Sequence, residues 1–89
     1  PLPDPSLSPE QITEQRELER AVQDCISALS PDQRVVLVLS DVEGFDYQSI
    51  ADQLDTALGT VKSRLSRARS SIRDCLQDVR ELLPSQFRL

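Results

Sequence analysis

Histidine is missing from all 89 residues, glycine occurs twice, and the aromatic set is Phe45, Tyr47 and Phe87. Without histidine, imidazole-dependent catalysis and the usual cysteine–histidine zinc spacings are excluded. There is no glycine-rich phosphate loop and no clustered nucleophile and base, so the chain reads as a non-enzyme with no cofactor, no metal and no small-molecule substrate. So few glycines and aromatics, with no alternating apolar and polar pattern, also argue against a sheet and for an all-α fold. Long apolar runs are lacking too. The longest covers residues 35–39, too short to cross a bilayer, and the first residues have neither a basic nor an apolar leader segment. The expectation is a soluble, non-secreted, cytoplasmic protein without a membrane partner. Only two cysteines occur, Cys25 and Cys75. They are read as two small buried apolar residues; pairing would require their helices to pack together, and nothing in the sequence demands it.

What is present suffices for one small domain: 38% of residues are hydrophobic, enough for one core and no second one. The net charge of −5 hides an asymmetry. Residues 1–30 carry −4, residues 31–56 carry −5, residues 57–73 carry +5 with no acid at all, and residues 74–89 carry −1. One basic stretch on an otherwise acidic domain attracts a polyanion to a single face and repels it elsewhere, which orients docking on nucleic acid.

Residues 1–9 hold four prolines and no helical periodicity, and read as an interdomain linker, with a single domain over 10–89. Over 10–29, Leu18, Val22, Cys25, Ile26 and Leu29 recur at three and four, the spacing of one helix face, and Ser8 with Pro9 offers a start. The Ser30-Pro31-Asp32-Gln33 sequence repeats that start signal with a capping-box glutamine and predicts a second helix over 31–42, stopped at Glu43-Gly44; the β-branched run at 35–39 taken alone favours a strand, the rival reading. Asp46 caps a short third helix over 47–54, with Ile50, Ala51 and Leu54 on one side. After a tight turn at 55–57, the fourth and longest helix runs toward Leu83, ahead of Pro84. Its apolar series Leu58, Val61, Leu65, Ala68, Ile72, Leu76, Val79, Leu83 gives one continuous stripe. Beyond Arg73 this helix either packs back on the first helix or extends toward a partner.

A short helix, a tight turn and a longer basic helix form the arrangement that places the second of the pair in a DNA major groove. Ala51 suits the close crossing of the two. With Leu65 at the centre of the buried side, Gly59, Thr60, Ser63, Ser66, Arg67 and Ser70 fall roughly opposite, and Lys62, Arg64 and Arg73 flank them. Small side chains admit a helix deeply into the groove, the forked donors of Arg67 match a guanine edge, and the flanking cations reach phosphates. Arg69 lies nearer the buried stripe and is open to structural ion pairing. Gly59 either relieves crowding at the helix start or marks close approach of something outside.

The sequences YQSIADQL at 47–54 and LGTVKSRLSRAR at 58–69, with LSPDQR at 29–34 and LSDVEGF at 39–45, resemble region 4 of sigma-70 family factors of the extracytoplasmic-function group, over roughly residues 20–76. The resemblance implies a four-helix domain containing a helix-turn-helix, winged-helix-like in class but without a wing. It implies a last helix that reads the minus-35 promoter element, and a cleft that docks on the β flap of core RNA polymerase. Lys62, Ser63, Arg64, Ser66 and Arg67 would face promoter DNA, and Val35, Val38 and Leu39 stand between core and polymerase-facing roles. An anti-sigma factor is a further implied partner, and the family's promoter-melting N-terminal domain would lie outside this chain. At the turn the sequence departs from the pattern, with Asp55 and Ala57 where many members have glycine and a capping serine. Asp55 tolerates the left-handed conformation such a turn needs, and Asp55 or Thr56 is then the expected cap. Two alternatives stand beside this reading: a response-regulator type DNA-binding output domain, and a sigma-like module that binds an anti-sigma factor instead of a promoter.

Overall fold

The starts of the first three α-helices are written in their capping residues. In the computed structural model, which describes residues 5–82, Ser8 caps α1 (Pro9–Ser27) by accepting from the Gln11 backbone N–H while the Gln11 side chain accepts from the Ser8 N–H. Two of the free backbone donors at that end are thereby satisfied reciprocally, with proline in the first turn where its missing N–H costs nothing. Ser30 supplies the forward half of that arrangement for α2 (Pro31–Leu37), accepting from the Gln33 N–H at 3.4 Å, again with proline in the first turn. Asp46 caps α3 (Tyr47–Gln53) through the Ser49 N–H at 2.8 Å, and that donor, foremost, draws the exposed carboxylate below its ordinary range.

The second helix is not one regular element over 31–42. After Leu37 it widens into a π-helical segment, Val38–Val42, in which the Glu43 N–H bonds the Val38 carbonyl at 2.9 Å and the Phe45 N–H bonds the Leu39 carbonyl at 2.9 Å. Gly44, at φ +79°, ends it in the left-handed region that side-chain-bearing residues resist. Asp55, at φ +50°, makes the tight turn between α3 and α4 (Leu58–Leu82). The expected capping by Asp55 or Thr56 takes another form: the Ala57 carbonyl accepts from the Thr60 and Val61 N–H groups. Ala57 therefore occupies the cap position, and its methyl side chain has no acceptor to offer.

Leu29, Val36, Leu37, Ile50, Ala51, Val61, Leu65 and Ala68 form the core, with Ile26, Leu39, Tyr47, Leu54 and Ile72 packed around it. No buried residue among those described is polar or charged, so apolar burial, at about 25 cal/mol per Å² removed from water, carries the fold. The recognition-type pair α3 and α4 meets α2 in this core. The described residues are helical with no strand, which is the all-α, four-helix architecture expected.

The reading of Cys25 and Cys75 as two separate buried apolar residues is overturned. They form a disulfide, with Cα atoms 5.8 Å apart, joining α1 to the distal half of α4. The same contact decides where that half goes: it packs back on α1. Cys25 is buried and Cys75 half-buried, in line with Leu76 and Val79, which are half-buried on the same stretch. The physical reason is that helix-to-helix packing, not sequence spacing, brings two residues fifty positions apart into bonding range. The expected helix end at Leu83 and Pro84, and the first four residues of the expected linker, lie outside the described residues.

Candidate nucleic-acid interface

The inner flank of α4 is pinned by Val61, Leu65 and Ala68, all fully buried. Steps of four and three residues put these on one side of the cylinder, so the residues between them project away from the body. Gly59, Lys62, Ser63, Ser66, Arg67 and Arg73 are exposed, and Thr60, Arg64 and Ser70 are half-buried at the margins of the same face. All nine residues named from the sequence thus lie on or beside one outward strip of α4. Arg67 stands in its middle, flanked by the hydroxyls of Ser63 and Ser66 one turn back and one position before it.

Gly59 has open space around it: a Cβ built there meets no atom within 4 Å. Crowding inside the protein is therefore no reason for glycine at this helical position, where alanine would be favoured by about 1 kcal/mol. The room left is on the outside.

The acidic elements touch this strip lightly. Arg64 Nη2 lies 3.8 Å from Asp32 Oδ2, with the Asp32 side chain largely exposed, a separation that leaves the guanidinium loosely held. Arg73 donates to Ser70 Oγ at 3.3 Å along its own helix. Lys62 and Arg67 project from the strip into solvent. Four of the five cations within residues 57–73, a stretch without an acid, stand on or beside this strip and make it the basic side of an otherwise acidic molecule.

Arg69 behaves differently. Its Nη2 and Nε donate to Asp41 Oδ1 and Oδ2 at 2.7 and 3.1 Å, a two-pronged pair that commits the guanidinium to the π segment. The Arg69 hydrogen bond is the main reason the Asp41 carboxyl sits below its ordinary range, with Ser40 Oγ, 3.1 Å away, adding to it. Arg69 is in turn pushed further toward its charged form by Asp41 first and by the Tyr47 side chain second. The sequence left Arg69 open to ion pairing; its partner, twenty-eight positions upstream, has no local signature.

Apolar side chains are also exposed on α2, in the π segment and just after it. Val42 and Phe45 are 66% and 43% exposed, and Val35 is 37% exposed. Of the residues named for a polymerase-facing side, Val35 is thus outward, whereas Val38 is half-buried and Leu39 half-buried against the core. Val42 and Phe45 were not named for that side: Val42 lies three residues after Leu39 and four after Val38, so helical spacing alone gives no sign that it is exposed.

Among the described residues no helix is long and apolar enough to cross a membrane, and no group of histidine, cysteine, aspartate or glutamate side chains could hold a metal ion.

Comparison with known proteins adds to this geometry. The family profile described as "Sigma-70, region 4" matches residues 19–72. Relatives include an ECF RNA polymerase sigma factor, SigE, of Mycolicibacterium smegmatis, 41% identical over 76 residues, covering 85% of this chain and 29% of that protein. An ECF RNA polymerase sigma-E factor of Haemophilus influenzae is 40% identical over 70 residues, covering 79% of this chain and 37% of its own length. The RNA polymerase sigma-H factor of Pseudomonas aeruginosa is likewise 40% identical over 70 residues, with coverages of 79% and 36%. The chain spans about a third of the length of these curated relatives.

Proposed function

Because this chain belongs to the sigma-70 region 4 family, we propose that it recognises promoter DNA of the minus-35 type and docks on the β flap of core RNA polymerase during transcription initiation, in the cytoplasm. The observation that carries the DNA half is the outward strip of α4, where Arg67 stands among small hydroxyl side chains above a fully buried inner flank. Small neighbours let the backbone approach base edges, and the Arg67 fork matches the paired acceptors of guanine. Lys62, Arg64 and Arg73 supply phosphate contacts that hold register. Arg64 exchanges its loose Asp32 partner for a phosphate at little cost, since exposed pairs at such separations contribute well under about 1 kcal/mol.

The exposed apolar side chains of Val35 on α2, Val42 in the π segment and Phe45 after it support the polymerase half of the proposal, because exposed apolar side chains suit the apolar face of a partner helix. An anti-sigma factor is a further proposed partner. The response-regulator alternative is displaced by the family match.

A salt-dependent titration of duplexes carrying randomised minus-35 sequences tests the reading. Arg67→Ala weakens binding by about 1–3 kcal/mol and relaxes preference at one base pair, whereas Lys62→Ala weakens every duplex alike and lowers the salt slope by about 1. Equal losses for both variants on all sequences would refute the assignment of Arg67. Weak binding to every duplex beside tight binding to an anti-sigma protein would favour the interaction module instead.

A further inference from the structure

We propose that Arg69 is a positioning residue for promoter reading: clamped on Asp41, it fixes the rotation of α4 about its own axis and so the aim of Arg67, without touching DNA itself. This rests on the proposed DNA-reading role of α4. Apolar packing leaves the roll of α4 near Arg67 weakly determined, and the Cys25–Cys75 bond holds only its distal half. Val61, Leu65 and Ala68 hold α4 against the core, but such contacts are non-directional, and alanine offers only a methyl group to resist a small roll of the cylinder. A guanidinium that donates through two nitrogens to both oxygens of one carboxylate is directional, and Arg69 does so at 2.7 and 3.1 Å.

Position on the helix separates the two arginines. Arg69 follows Leu65 by four residues and borders the buried stripe, whereas Arg67, two residues before Arg69, lies about 200° away around the helix. A roll permitted at one side therefore displaces the tip on the other, and a base edge is read only while both donors of the fork stay in hydrogen-bond range. Asp41 is itself oriented by Ser40 Oγ at 3.1 Å and sits in the π segment one residue before the exposed Val42. The same clamp thus sets α4 and the π segment relative to one another. Both partners are partly exposed, 48% and 39% for their side chains, so the pair does little for global stability; its effect lies in geometry.

The test compares Arg69→Ala, Asp41→Asn and the double variant with the unmodified chain, on the preferred duplex and on one mismatched at the base read by Arg67. Positioning predicts that each single variant lowers the preferred-to-mismatched affinity ratio by roughly fivefold or more, that the double variant is no worse than either alone, and that the salt slope is unchanged. Asp41→Asn is the decisive arm. It removes a negative charge, so electrostatics alone would tighten binding to every duplex, whereas loss of positioning weakens the preferred one. Arg69→Lys, which keeps the charge but loses the fork, falls with Arg69→Ala in discrimination, and Asp41→Glu restores part of it. Thermal melts accompany each variant; should Arg69→Ala unfold, Arg69→Lys and Asp41→Glu carry the comparison. A salt slope reduced by about 0.9 in Arg69→Ala, with tighter binding by Asp41→Asn, would show Arg69 to be a phosphate contact and overturn the inference. An unmodified chain that prefers no duplex sinks the DNA-reading role itself; one that discriminates while all variants match it sinks only the clamp.

Discussion

Cys25 and Cys75 are bonded across α1 and the distal half of α4, closing a loop fifty residues long that contains the whole helix-turn-helix. Cys25 is the sole buried residue within α1, and α1 otherwise reaches the core through the half-buried Ile26. The bond therefore ties α1 covalently to α4 beside the packing of Ile26.

Reduction of this bond is expected to destabilise the domain. In the chain-entropy account a cross-link closing about fifty residues is worth about 4 kcal/mol, with measured values more often about 2–4, equivalent to a Tm loss of roughly 10–30 °C for a chain this size. Melting with and without a dithiol reductant, and of Cys75→Ser, measures it. A Tm unmoved by reduction would show that apolar packing alone secures α1.

Substitution of the helical glycine separates stability from binding. Gly59→Ala enters open space and is expected to stabilise α4 by about 0.5–1 kcal/mol. If α4 enters the groove at this point, the same methyl group weakens duplex binding. A variant with a higher Tm and undiminished affinity would place Gly59 away from DNA.

The α3–α4 crossing is expected to reject bulk. Ala51 is 2% exposed within the core, so Ala51→Leu forces extra methylenes into a filled space and costs about 1–3 kcal/mol, read as a lower denaturant midpoint at constant slope. An unchanged midpoint would mean that the crossing relaxes freely.

Acid should loosen the clamp. The Arg69 hydrogen bond holds the folded Asp41 carboxyl below its ordinary value of 3.8, so the folded state releases this proton more readily than the unfolded chain does. The contribution is complete above the unfolded value and is lost as pH falls through the folded one. Stability measured from pH 5 downward should decline less steeply in Asp41→Asn than in the unmodified chain; equal slopes would show that the pair adds nothing to linkage.

The capping residues and the apolar spacing made most of this fold legible. Ser8, Ser30 and Asp46 each accept from the backbone N–H three residues on, and such signals are local, so they can be read along the chain. The outward strip of α4 was legible for the same reason, because a helix converts spacing directly into direction. The π segment was not: a regular and a widened turn share the same start and stop residues, and only the bonding of Glu43 to Val38 distinguishes them.

By itself, then, the sequence determined where helices begin, which faces they bury and which stretch is basic, since each depends on residues within a turn or two of one another. Tertiary structure alone decided that Cys25 meets Cys75 and that Arg69 is held by Asp41. Both are encounters between distant segments, and they depend on the crossing and rotation of whole helices in a shared core, which neither partner's local sequence encodes.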